Sequence, residues 1–400
     1  MSITDTTREI PTVTRTRVVV LGAGYAGAMA ANRLLRNPDV DVTVVNPQPF
    51  FVQRIRLHQF VSGTGDPQVA FDDVLADDIR VVVDTATRID AGAARVHLAS
   101  GAHLDYDHLV YAIGTRHRAP EIPGAAEHAW SVSDWAAAQR LRDHLATLDE
   151  GDPVVVVGGG LTGIEAAAEL AERGFAVKLV CGGAIAPSVG PRARRATLRQ
   201  LARLGVEVVE EGRATAVDPS RVLVDVDGVE QILPSAATVL TTGFVAPELA
   251  ADSGLTTDEI GRLHTDDALT SVDDDRIVGA GDAVAVAGMY LRMSCQAAEP
   301  LGAQAADAVL ARIAGDRPQK VDQAFAAQCT SIGRRAATLQ FTKRDDSPAR
   351  MVATGRLAAT AKEIACRGTV WFIRHEAARP GSYRWARGGD LTTTTEPALS

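Results

Sequence analysis

At 400 residues the chain is long enough for two or three domains of about 150 residues each. Its composition, 46% hydrophobic and 23% charged, is that of a folded globular protein, and a net charge of −9 argues against nucleic acid as the main partner. Cys181, Cys295, Cys329 and Cys366 are far apart and form no CxxC, which speaks against a zinc centre or a disulfide framework.

Residues 1–16 are polar and read as a flexible lead-in without the apolar stretch of a signal peptide. No uncharged apolar run approaches the roughly 18 residues of a membrane span, so a cytoplasmic chain is expected. After Arg17, Val18–Leu21 is an apolar run without alternation, as in a strand buried on both faces. Gly22-x-Gly24-x-x-Gly27 follows, then an Ala- and Leu-rich helix, then a second buried strand, Val40–Asn46. In this setting Gly22 makes a tight turn, Gly24 lets backbone approach a pyrophosphate, and Gly27 lets helix and strand pack closely. The helix start, Tyr25 and Ala26, offers free N–H groups to phosphate.

Pro47 and Pro49 break the second strand. The segment Phe50–Gln59 has two readings, a surface helix with a buried Phe/Ile/Leu stripe or a loop covering a cofactor, with Arg54 and His58 as its polar candidates. Ile79–Asp84, Arg95–Leu98 and Tyr106–Thr115 read as strands, the last ending in Ala112-Ile113-Gly114. Ser131–Asp134 reads as a cap on a helix over Trp135–Leu148.

The opening pattern then recurs. Pro153–Val157 leads into Gly158-x-Gly160-Leu161-Thr162-Gly163, a helix, and a strand over Ala176–Val180. Two such turns imply two dinucleotide sites. Val206–Val209, Thr215–Val217, Val222–Val226 and Ile232–Leu233 read as strands of a small sheet, and Thr238–Gly243 mirrors the strand ending at Thr115. Arg276–Ala283 is a strand running into Gly279-Ala280-Gly281-Asp282, and Ala298–Ile313 has helical spacing.

In this order the motifs resemble those of the flavoproteins with two dinucleotide-binding domains, the pyridine nucleotide-disulfide reductase fold. The resemblance covers 17–315 and implies an α/β fold: two Rossmann-like domains and a small C-terminal α+β region. It divides the chain into a flexible 1–16, an FAD domain of 17–123 and 238–317, an NAD(P)H domain of 124–237, a C-terminal interface domain of 318–385 and a disordered tail of 386–400. It implies that the first motif and Asp282 hold FAD, with Arg54, Ala86, Ala112, Gly114, Gly243 and Gly281 in contact with cofactor. The second motif would hold NADH or NADPH. Asn46 and Cys181 stand where the ribose-binding acids of the first and second domains are expected, and Cys181 leaves NADH against NADPH open. Arg192, Arg194 and Arg195 read either as a 2′-phosphate site or as a solvated helix face.

Disulfide reductases and single-cysteine oxidases of this fold need a thiol early in the chain, and no Cys precedes Cys181. The chain is most similar to type II NADH dehydrogenases and apoptosis-inducing-factor relatives, which implies hydride transfer from NAD(P)H to flavin and electron delivery to a separate small-molecule acceptor. Met293–Gly302 is similar to the stretch lining the quinone site there, which implicates Gln296 and Ala297, although Pro300 and Leu301 replace a later Gln pair. Glu165 either complements the helix dipole or contacts the nicotinamide carboxamide. Arg356–Glu376 reads as a capping or dimer helix or as a peripheral contact with the inner face of a membrane. A biosynthetic flavin oxidase and a redox-sensing binding protein stand as alternatives.

Overall fold

The computed structural model describes residues 15–118, 121–389 and 391. Its first sheet is parallel, in the order Ile277–Gly279, His108–Tyr111, Thr16–Leu21, Val40–Asn46, Arg80–Val83. Val18, Val19, Val20 and Leu21 are buried on both faces, which is why the run shows no alternation. One face is covered by the helices Tyr25–Leu34 and Cys295–Ile313, which pack against each other. They approach closely because Gly302 has no side chain: a Cβ there would strike the Ala26 backbone. The first domain is thus assembled from two separate stretches of chain.

The second sheet repeats the plan, in the order Ala129–Ser131, Ala237–Leu240, Pro153–Val157, Ala176–Val180, Glu207–Val209. Two expectations change here. The strand at 207–209 joins this parallel sheet beside 176–180 instead of a small separate one. The strand at 237–240 pairs with 154–157, and Val239 and Leu240 are buried in the second domain, so the chain returns to the first domain only after 240. The small sheet is antiparallel, of Gly212–Asp218, Arg221–Val226 and Val229–Pro234. A tight turn at Asp227 and Gly228, both at positive φ, closes its last hairpin. The two passages between domains run side by side, with Arg116–His117 paired to Phe244–Val245.

Three antiparallel strands, Ala327–Ser331, Ala337–Thr342 and Pro348–Gly355, lead into the helix Arg356–Ala378. This helix buries Ala358, Cys366, Val370 and Ile373 against the body and turns Leu357, Ile364 and Trp371 outward. None of the described helices is long and apolar enough to cross a membrane. The tail expected to be disordered from 386 is held as far as 389. Ala324 N donates to Ala386 O, Gly388 N to Asp322 Oδ1 and Gly389 N to Gln323 O. The rest of that expected tail, 390 and 392–400, and nearly all of the 1–16 lead-in lie outside the described residues, while Thr16 already belongs to a strand.

Candidate functional site

A cavity of about 580 Å³ opens between the two domains and the C-terminal helix. The first glycine turn forms one wall. Gly22 sits at φ +92°, and a Cβ there would stand 2.5 Å from Ala112 O; one at Gly27 would strike Gly22 O. Both glycines are therefore required by the fold itself. Gly24 differs: a Cβ there meets no protein atom within 4 Å, and the residue faces the cavity together with Tyr25 and Ala26. Asn46 braces the turn, accepting from Ala23 N at 3.0 Å and donating to Gln48 O at 2.8 Å, and lines the cavity beside Ala86, Ala112 and Gly114.

Farther in lie Arg54 and Asp282. Arg54 donates to Ser133 O at 2.9 Å, bridging the first domain to the loop that opens the helix Trp135–Leu145. Asp282 accepts from Ser294 N at 3.2 Å, and its other oxygen takes no donor among the described residues. Burial pushes its carboxyl above the usual range, against the pull of Arg54 and the Ser294 N–H. Gly281, at φ +74°, lets this turn pass Ala26.

The segment 50–59 resolves into a strand, Phe50–Val52, a single 3-10 turn and a buried helix, Leu57–Ser62. It is neither one surface helix nor a plain loop, and it contributes Phe50, Arg54 and His58 to the cavity.

The second glycine turn copies the first. Gly158 (φ +125°) and Gly163 are hemmed in by Thr241, and Gly160 is open. Gly158, Gly160, Leu161, Gly163 and Gly243 lie outside this cavity; from the second turn and its helix, Thr162 and Glu165 reach it. Gln296 and Ala297 do not line it either. Gln296 Oε1 is 3.5 Å from Arg292, itself paired with Asp346, and Ala297 is packed with Phe325 and Leu391. The helix beginning after its Ser294 cap turns Cys295 and Ala298 inward instead, as i, i+3 spacing requires.

Glu165 closes the inner end. Its Oε1 accepts from Lys362 Nζ at 2.5 Å, Ser331 N at 2.9 Å and Ser331 Oγ at 3.1 Å, and Oε2 lies 3.7 Å from His58 Nδ1. Burial alone would raise the carboxyl, but Lys362, His58 and Ser331 hold it below its usual range. Burial likewise opposes the charge on Lys362, and Glu165 outweighs it, so the ammonium is held more firmly than usual. Lys362 carried no local sequence signal of chemistry. Its place four residues from both Ala358 and Cys366 puts it on the buried side of the helix, the one clue available.

Burial pushes His58 down from 6.5 to about 4, with Lys362 adding to the effect against Glu165. The unfolded chain therefore binds a proton at His58 before the folded one does. Stability from this group is complete above pH 6.5 and is lost as pH falls toward 4, by about 3 kcal/mol in all. The apparent melting temperature should fall over that window, and His58→Gln should flatten the dependence. An unchanged slope would mean that folding does not shift the His58 pKa.

A larger cleft of about 790 Å³ at the domain crossing is lined by Arg116, Arg118 and Arg140 and touches neither glycine turn. The four cysteines are free, and among the described residues no cluster of His, Cys, Asp and Glu could hold a metal ion.

A family profile described as pyridine nucleotide-disulphide oxidoreductase matches residues 16–308. An NADH dehydrogenase-like protein of Mycobacterium tuberculosis is 34% identical over 319 residues, covering 72% of this chain and 78% of its own. A type II NADH:quinone oxidoreductase of Staphylococcus epidermidis is 29% identical over 276 residues, covering 60% and 67%. Among solved structures, the sulfide:quinone oxidoreductase of Aquifex aeolicus superposes with a TM-score of 0.78 at 20% identity, covering 92% of this chain and 93% of its own. NDH2 of Plasmodium falciparum, solved with NADH, reaches 0.76 at 14% identity, covering 92% and 99%. Those two likenesses concern the fold. With two glycine turns in two parallel sheets and a profile matching most of its length, the chain belongs to the pyridine nucleotide-disulphide oxidoreductase family and is an oxidoreductase.

Proposed function

We propose that the protein is an FAD-dependent NAD(P)H dehydrogenase delivering electrons to a small quinone-type acceptor. The observation that carries this reading is one cavity running from the open Gly24 to the half-buried carboxylate of Asp282 and ending at Thr162 and Glu165 of the second dinucleotide unit. An FAD fits these residues: Gly24 leaves room for a pyrophosphate, the helix from Tyr25 presents N–H groups to it, and Asp282 has an oxygen free for ribityl hydroxyls. When bound, FAD supplies a ring that takes a hydride from nicotinamide and passes electrons on.

The chain's own contribution is position and charge. Gly160 gives the second dinucleotide the same backbone approach that Gly24 gives the first. Lys362 spends two of its three protons on Glu165 and on Cys329 O, leaving one for a group in the cavity, where its fixed positive charge favours a reduced, electron-rich acceptor. His58, neutral near pH 7, keeps a second positive charge away from Lys362. The quinone part of the reading is supported by the names of the relatives and by the outward Leu357, Ile364 and Trp371, suited to a membrane surface that holds an apolar acceptor.

The purified protein should be yellow, with about one FAD per chain as the single first-domain site requires. NADH or NADPH should bleach it anaerobically, and added quinone should restore the colour, faster with lipid vesicles present. A colourless protein that FAD does not reconstitute overturns the reading. Bleaching without reoxidation by quinone removes only the acceptor.

A further inference from the structure

In a dinucleotide-binding unit the second strand ends in an acid that holds the adenosine ribose, and an Arg nearby accommodates a 2′-phosphate. Here that strand ends in Cys181, which is 1% exposed and so close to the second glycine turn that a Cβ at Gly159 would stand 2.7 Å from its Sγ. Burial pushes the thiol up to about 12, so it stays neutral. Cys181 offers a ribose hydroxyl almost nothing.

The acid stands one strand over. Val180 is in register with Val209, Cys181 N donates to Val209 O at 2.8 Å, and the next residue is Glu210. Glu210 Oε1 accepts from Ile185 N at 2.7 Å, fixing the loop that follows Cys181, and from Arg194 Nη2 at 2.5 Å. Oε2 takes no donor among the described residues, and the side chain is 31% exposed. Arg194 belongs to the first turn of the helix Pro191–Arg203 and is 38% exposed, while Arg192 and Arg195 stay on its solvent side. An acid and a neutralised arginine therefore meet beside the strand end that would receive the adenosine.

We infer that Glu210 replaces the missing strand-end acid and makes the second site select NADH over NADPH. Its free oxygen can accept from the ribose 2′-hydroxyl. A 2′-phosphate would bring like charge against it, and Arg194, the arginine beside it, already gives its Nη2 to Glu210. This inference rests on the proposed second dinucleotide site.

The test uses the full-length, FAD-loaded protein and two fragments without nicotinamide, ADP-ribose and 2′-phospho-ADP-ribose, titrated by calorimetry. The native protein should prefer ADP-ribose by about tenfold to a hundredfold, the range of one hydrogen bond to a charged group. Glu210→Gln keeps an oxygen for the Ile185 N–H and removes the charge; it should bring the two affinities close to equal by tightening the phosphorylated fragment. Adding Arg194→Ala should remove that gain. Equal binding by the native protein, or an unchanged ratio in Glu210→Gln, overturns the inference while leaving the second site standing. Binding of neither fragment removes the second site, and the inference with it.

Discussion

Gly24→Val should give a folded but colourless protein, and Gly160→Val a folded yellow one that NADH no longer bleaches. Both glycines have ordinary extended backbone, φ −76° and −73°, which a branched residue adopts without strain. Neither has a protein atom within 4 Å of a built Cβ, so the fold loses nothing. In the proposed function that space takes a pyrophosphate, so filling it should weaken the corresponding dinucleotide by at least about tenfold to a hundredfold, on the scale of overpacking a tight site. Gly27→Val is the contrasting control. Its Cβ collides with Gly22 O, so it should lose the fold along with the colour. Flavin content, circular dichroism and anaerobic bleaching read the three apart. Full FAD content in Gly24→Val would remove the first turn from the cofactor site.

Lys362→Met should loosen the C-terminal helix more than any other single change at the cavity. It leaves Glu165 charged, 11% exposed and without its cation, a situation that costs about 3–5 kcal/mol in buried pairs. Hydrogen exchange along 356–378 and in the strand at 327–331 is the measurement, because global unfolding of a chain with several domains is not a two-state event. Glu165→Gln should open the same helix, since it strands the ammonium. In the double variant no charge is left unpaired, so its destabilisation should fall short of the sum of the singles by about 0.5–3 kcal/mol. Additive effects would mean that Glu165 and Lys362 act independently, and Glu165 would then be free to complement only its own helix.

Both βαβ units, their glycine turns and the buried strands were legible because each is a local pattern. The strand period, the helix period and the glycine spacing all fall within about 30 residues. Asp282 was singled out through the family resemblance, and it stands in the turn just past the strand Ile277–Gly279, at the cavity. The repeat also foretold the paired strand ends, with Gly114 and Gly243 both at positive φ, +68° and +67°.

What sequence alone determined about this protein is therefore its two-turn architecture and the residues whose part depends on backbone conformation. Tertiary structure decided which side chains share the cavity. Glu165, Ser331 and Lys362 meet across 166 and 197 residues of separation, and no local period records such a meeting. The rotation of the helix after Ser294 brings in Cys295 and Ala298 where Gln296 and Ala297 were expected, because burial against Phe325 and Leu391 sets its face. The strand at 237–240 joins the second sheet because its partners there bury it, although its sequence is equally suited to the first. Long-range packing chooses among faces and partners that an apolar run leaves equivalent.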